Sequence, residues 1–192
     1  MNIIVIDVET GGLDPQADAL LAIGAVCLNV DGKIEGTFHT LVAPAAGLAV
    51  NPSALAVNGL TPSPAWPPER EALRAFANFC QRWAPALFAG CNVPFDRAFL
   101  SAAARRCSLP EPVGRHILDI KSLALALHVN GVLSLPIKRR MPSPSLDSIL
   151  AALRLPGREG PHHDALTDAQ LTASALWRLL ECLPGPERGT VC

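Results

Sequence analysis

Asp7 and Glu9 stand two apart in the run I-I-V-I-D-V-E-T-G-G. Asp96 stands in N-V-P-F-D, and His163 and Asp168 stand in H-D-A-L-T-D-A. Four carboxylates and a histidine, spread over the beginning, middle and end of the chain, make the donor set of a two-cation phosphodiester hydrolysis. Hard anionic oxygens hold divalent cations. A group that titrates near neutral pH takes a proton from water.

Local geometry decides whether these groups can act together. On a strand, residues two apart point to the same face, so Asp7 and Glu9 sit side by side while Val8 points the other way. Two adjacent carboxylates repel, an arrangement eased by a cation between them. The Gly11-Gly12 pair that follows admits close backbone approach by a ligand. Asp96 falls in the first turn of a helix, where the helix N-terminus favours a carboxylate, and that alone would explain it. On one continuous helix, His163 and Asp168 would point about 140° apart. They share a site only if His163 lies on the loop before the helix or in its first turn. Spacing does not choose between His162 and His163.

Apolar periodicity supplies the elements that must carry these groups. Ile3 to Val8 reads as a strand buried on both faces. Leu21 to Val30 and Lys33 to Val42 flank Asp31-Gly32 and read as a hairpin. A short helix is expected from Asn51-Pro52 to about Asn58-Gly59, and another up to Trp83 beyond a proline-rich connection. Ala86 to Cys91 and His116 to Asp119 read as further strands. Pro94 suits the first position of a helix that runs to about Cys107. Helices are also expected up to Val129, over Ser145 to Leu153, and from Asp164 to about Cys182. Asn130 to Ser145 reads as a proline-rich loop. It carries Lys138, Arg139 and Arg140, which either hold phosphates or are simply solvated. These elements suggest a mixed sheet covered by helices. One domain over 1–183 and a frayed tail over 184–192 are expected.

Composition narrows the classes. The 192 residues are 49% apolar and 17% charged, which describes a globular chain. A formal net charge of −1 argues against coating nucleic acid by bulk charge. The six cysteines form no C-x-x-C pair and read as buried thiols of a reducing interior. Met1 leads straight into a strand-like run, so neither a signal peptide nor a membrane segment is expected. A cytoplasmic location follows as an expectation.

In this order, the three motifs resemble the DEDDh 3′→5′ exonucleases, the family of polymerase proofreading subunits, ribonuclease T and TREX-type enzymes. Asp7-Val8-Glu9-Thr10 with Gly12-Leu13-Asp14-Pro15 matches the first motif, and Asn92-Val93-Pro94-Phe95-Asp96 the second. His163, Ala165, Asp168 and Ala169 match the third, which selects His163 over His162. Ile23-Gly24-Ala25, Asn58-Gly59-Leu60-Thr61 and Ser145-Leu146-Asp147 are weaker matches. Gly11 stands where threonine is frequent, and Cys91 where histidine is common.

The resemblance implies an α/β, ribonuclease-H-like mixed five-stranded sheet flanked by helices. It implies two divalent cations, Mg²⁺ or Mn²⁺, held by Asp7, Glu9, Asp96 and Asp168, with His163 as general base. Nucleoside 5′-monophosphates would leave the 3′ end of a nucleic acid, single-stranded DNA first among substrates. Thr10, Gly11, Gly12 and Leu13 would contact the terminal nucleotide, with Asn58 and Asn92 nearby. The resemblance leaves room for a polymerase or repair protein as partner, if there is one. Two alternatives stay open: an exoribonuclease of the same fold, and a non-catalytic nucleic-acid-binding or adaptor domain.

Overall fold

The computed structural model describes residues 1–183; the expected tail, 184–192, lies outside the described residues. Its centre is β1 (Asn2–Thr10), flanked by β2 (Leu20–Leu28) and β4 (Ala86–Gly90). With β3 (Ile34–Leu41) and β5 (Ile117–Asp119) outside these, the sheet order is β3-β2-β1-β4-β5. β1, β2 and β3 pair antiparallel, whereas β4 and β5 run parallel to β1. The mixed five-stranded sheet expected from the motifs is present.

Alternation along β1 sorts its side chains between two cores. Ile3 and Val5 face a layer containing α4 (Ile120–Val129), α5 (Leu146–Ala152) and α6 (Ala165–Glu181). Ile4, Ile6 and Val8 face the opposite layer, with α2 (Glu69–Arg82) and α3 (Val93–Arg106). Burial on both faces is why β1 reads as a nearly unbroken apolar run. By the same period of two, Asp7 and Glu9 share the α6 side.

Two local features shape the rim of the sheet. α1 (Pro52–Asn58) ends on Gly59, whose φ of 67° closes the helix in the left-handed conformation. The stretch from 130 to 145 is not wholly irregular. β6 (Ile137–Lys138) and β7 (Met141–Pro142) pair antiparallel across Arg139 and Arg140, both at positive φ. The proline content hid this hairpin, and two arginines are not the residues that usually signal such a turn.

Candidate active site

Pairing between β1 and β4 stops at Val5 and Ala89, so the last residues of β1 project past the end of β4. A crevice opens there, at the carboxyl ends of the parallel strands, the usual place for a ligand in such sheets. Its volume is about 240 Å³, and Asp7, Cys91, Lys121, Asp147, Arg158, His163 and Asp168 line it. A larger groove of about 480 Å³ runs beside α2 and the end of α3, but it is mostly apolar and holds none of the motif acids.

Each acid arrives by its own route. Asp7 and Glu9 come from the strand itself. Asp96 enters over the end of β4 from the first turn of α3, where its Oδ1 accepts the backbone N–H of Val8 at 2.9 Å. The helix N-terminus therefore accounts for only part of its setting. Asp168 comes from the first turn of α6, and Gly24 is what lets that turn come close. Gly24 pairs with Asp7, and a Cβ on it would collide with the backbone of Ala165 and Leu166. In the sequence, Gly24 belongs to one of the weaker matches to the family, Ile23-Gly24-Ala25.

His163 lies on the loop before α6, which begins at Ala165 with Asp164 as its N-cap. Its backbone N–H donates to the carbonyl of Val57 at 3.0 Å, which ties the loop to α1. Its Nδ1 lies 3.3 Å from Asp168 Oδ2. The neighbouring His162 packs its ring over Gly59 instead, where a Cβ would come within 2.7 Å of that ring. One atom each from Glu9, His163 and Asp168 lie within 4.8 Å of one another.

Electrostatics in the crevice are dominated by burial. Asp96 and Asp168 are 3% and 2% exposed, and Glu9 7%. Burial, then repulsion from Asp168, pushes the Glu9 carboxyl up to about 8. Burial, with repulsion from Asp96 and Glu9, holds the half-buried Asp7 well above the carboxylate range. Asp96 is likewise raised by burial, against the lowering effect of the Val8 N–H. Glu9 Oε1 is buried with no hydrogen-bond partner among the described residues. An orphaned oxygen amid three other acids is costly unless a cation meets it. Oxygen donors of this kind suit hard divalent cations, and the residues fit such a cation.

Arg158 is the group that sequence reasoning missed. Its Nε and Nη2 donate to Asp168 Oδ1 and Oδ2 at 2.5 and 2.8 Å, and its Nη1 donates to Asp147. Burial opposes its charge, but Asp168 outweighs that and holds the guanidinium above its ordinary value. The only hint in the sequence was a lone basic residue five positions before His163.

The expected nucleotide-contacting turn is a packed structure. Gly11 and Gly12 are buried, and the close approach they permit is made by the chain itself. A Cβ on Gly11 would come within 2.6 Å of the Ala49 carbonyl, and one on Gly12 would strike Asp18. Thr10 Oγ1 donates to the Gly12 carbonyl at 2.7 Å. Asn58 is 5% exposed; its amide donates to the Thr10 carbonyl and accepts from Leu60 N. Leu13, at 83% exposed, is the side chain the turn presents to solvent. Asn92, at a φ of 73°, donates its backbone N–H to Asp119 Oδ1. Cys91 lines the crevice as a thiol that burial pushes up to about 12.

Comparison with known proteins finds relatives over most of the chain. The chain is 32% identical over 188 residues to a PolC-type DNA polymerase III of Thermotoga petrophila, covering 94% of this chain and 12% of that one. It is 38% identical over 119 residues to ribonuclease T of Salmonella choleraesuis, covering 55% of each. The chain thus spans from about an eighth to about half of these relatives. The fold overlays on that of Escherichia coli exonuclease I in complex with a dT13 oligonucleotide. The TM-score is 0.76 at 19% identity, over 94% of this chain and 41% of that one. The exonuclease pattern of the RNase_T family matches residues 4–176, almost the whole length that forms the sheet and its helices, and the chain belongs to that family.

Proposed function

We propose that this chain is a divalent-cation-dependent 3′→5′ exonuclease that releases nucleoside 5′-monophosphates, with residues 1–183 as its catalytic domain. The observation that carries the reading is the convergence of Asp7, Glu9, Asp96 and Asp168 with His163 on one crevice. Glu9, whose Oε1 is unpartnered, has a carboxylate oxygen within 4.8 Å of His163 and Asp168, which line that crevice. An adaptor domain has no use for so many buried acids held against their mutual repulsion.

Asp7, Glu9, Asp96 and Asp168 would hold two Mg²⁺ or Mn²⁺ ions. Those ions would supply a nucleophilic water at neutral pH and neutralise charge on the leaving oxygen. The remaining work falls to the chain. A carboxylate beside Nδ1 favours the tautomer with its proton on that nitrogen, so His163 keeps Nε2 free to accept a proton from water. Asp168 thereby orients the base as well as serving as a ligand. The tie from His163 N to Val57 fixes the loop that carries it. Thr10 to Leu13 would border the terminal nucleotide through backbone, with Leu13 against its base.

Single-stranded DNA is the favoured substrate, and the dT13 complex of the exonuclease I fold supports that reading. Unpairing a duplex end costs a few kcal/mol, and a net charge of −1 gives little bulk attraction to offset it. Similarity to ribonuclease T favours RNA as the second reading. Similarity to part of a polymerase suggests a proofreading setting. A cytoplasmic setting goes with a nucleic-acid substrate, and no described helix is long and apolar enough to cross a membrane.

Digestion of 5′-labelled single-stranded DNA, duplex DNA and RNA, with Mg²⁺, Mn²⁺ or EDTA, tests the proposal. Mononucleotide steps from the 3′ end are expected, abolished by EDTA and by a blocked 3′-OH. Cleavage of a closed circular single strand at a comparable rate would show endonuclease action and overturn it.

A further inference from the structure

Arg158 engages both oxygens of Asp168 with a two-pronged fork, and its third nitrogen reaches Asp147 on the rim. The Arg158 side chain is 13% exposed and that of Asp168 3%, whereas that of Asp147 is 68% exposed. One end of the guanidinium bridge is therefore deep in the crevice and the other is at its mouth.

The two ends differ in what else can claim them. Asp168 belongs to the acid cluster, one of its oxygens already facing His163. A guanidinium fork and a divalent cation seek the same face of that carboxylate, and two positive charges so close in a poorly hydrated crevice repel. Asp147, its side chain 68% exposed at the rim, is not one of the buried acids that would hold a cation. It can keep Nη1 while Nε and Nη2 are released. Released at the mouth of the crevice, those N–H groups need an anion. The free oxygens of a phosphodiester match the planar fork.

We infer that Arg158 competes with divalent cations for Asp168 and, from its anchor on Asp147, transfers its fork to the substrate phosphate. This deepens the exonuclease reading and rests on it. Cation binding then frees a phosphate ligand, and phosphate binding draws Arg158 away from Asp168. By linkage, each event strengthens the other by the same factor.

Calorimetry on the full chain tests this, with Mn²⁺ alone and then with thymidine 5′-monophosphate at saturating Mn²⁺. Removing a charged hydrogen-bond partner should change affinity by about tenfold. Arg158→Gln should thus bind Mn²⁺ about tenfold tighter and the nucleotide about tenfold weaker. Asp147→Asn should weaken the nucleotide, and unchanged nucleotide affinity in it overturns the anchor. Arg158→Lys keeps the charge without the fork, and serves as the main variant if Arg158→Gln does not fold. It should tighten Mn²⁺ by a smaller factor and still lose nucleotide affinity. Unchanged or weaker Mn²⁺ binding in both Arg158 variants overturns the competition, and unchanged nucleotide affinity overturns the transfer. A parent protein that binds no Mn²⁺ would instead overturn the exonuclease reading itself.

Discussion

Gly24 on β2 lies directly beneath Ala165, the first residue of α6, with no room for a side chain between them. Gly24 is also the β2 partner of Asp7. The landing point of α6 on the sheet is therefore set beside the first acid, and Asp168, one turn further on, is delivered to the crevice.

Gly24→Ala is expected to damage the site through the backbone. The obstructing atoms belong to the main chain of Ala165 and Leu166, so no rotamer change relieves them. Overpacking of this kind costs about 1–3 kcal/mol. A lower melting temperature should accompany a loss of Mn²⁺ binding as α6 moves off the sheet. Parent-like melting and parent-like Mn²⁺ affinity would show that the sheet yields instead.

Asp7→Ala should abolish hydrolysis without unfolding the chain. Asp7 is strained by burial and by Asp96 and Glu9. Its removal relieves repulsion, and thermal melting in EDTA should be at or above the parent value. Near-normal turnover in saturating Mg²⁺ would sink the two-cation reading.

His163→Ala should lower turnover by about 10²–10⁴-fold, the usual contribution of general acid–base catalysis. His162→Ala should do much less, because that ring packs on Gly59 rather than against the acids. Raising the pH should partly restore the His163 variant, since hydroxide needs no base. Equal losses from both variants, measured on the same oligonucleotide, would show that His163 is not the base.

Glu9 predicts a pH dependence in EDTA. Its carboxyl titrates near 8 in the folded chain, against 4.5 for an ordinary glutamate. Between those values the folded state holds a proton that the unfolded state has lost. Stability should fall as pH rises from about 4.5 to about 8 and then level off with respect to this group. A cation held by Glu9 would release that proton, so Mn²⁺ affinity should rise over the same window. Denaturant melts in EDTA check the first expectation and calorimetry in several buffers the second. Glu9→Gln should flatten this group's part of both trends.

Much of this protein was legible before any tertiary contact was known. The apolar alternation of Ile3 to Val8 placed Asp7 and Glu9 on one face of a doubly buried strand. Asn92-Val93-Pro94 announced the start of a helix and put Asp96 in its first turn. These are local signals, because strand period, proline geometry and capping act within a few residues of chain.

What only the tertiary structure decided concerns groups far apart in sequence. The Gly11-Gly12 pair, expected to admit a ligand, is packed by Asp18 and Ala49 of the same chain. Arg158 gave no periodic or capping signal, yet it meets Asp168 and Asp147 together. Spacing left His162 and His163 equivalent; in the fold His163, its N–H tied to Val57, faces Asp168, and His162 packs onto Gly59. Local sequence determines how each element presents its own side chains. The approach of one element to another depends on which atoms collide and which carbonyls are free at a distance, as Gly24 beneath Ala165 shows.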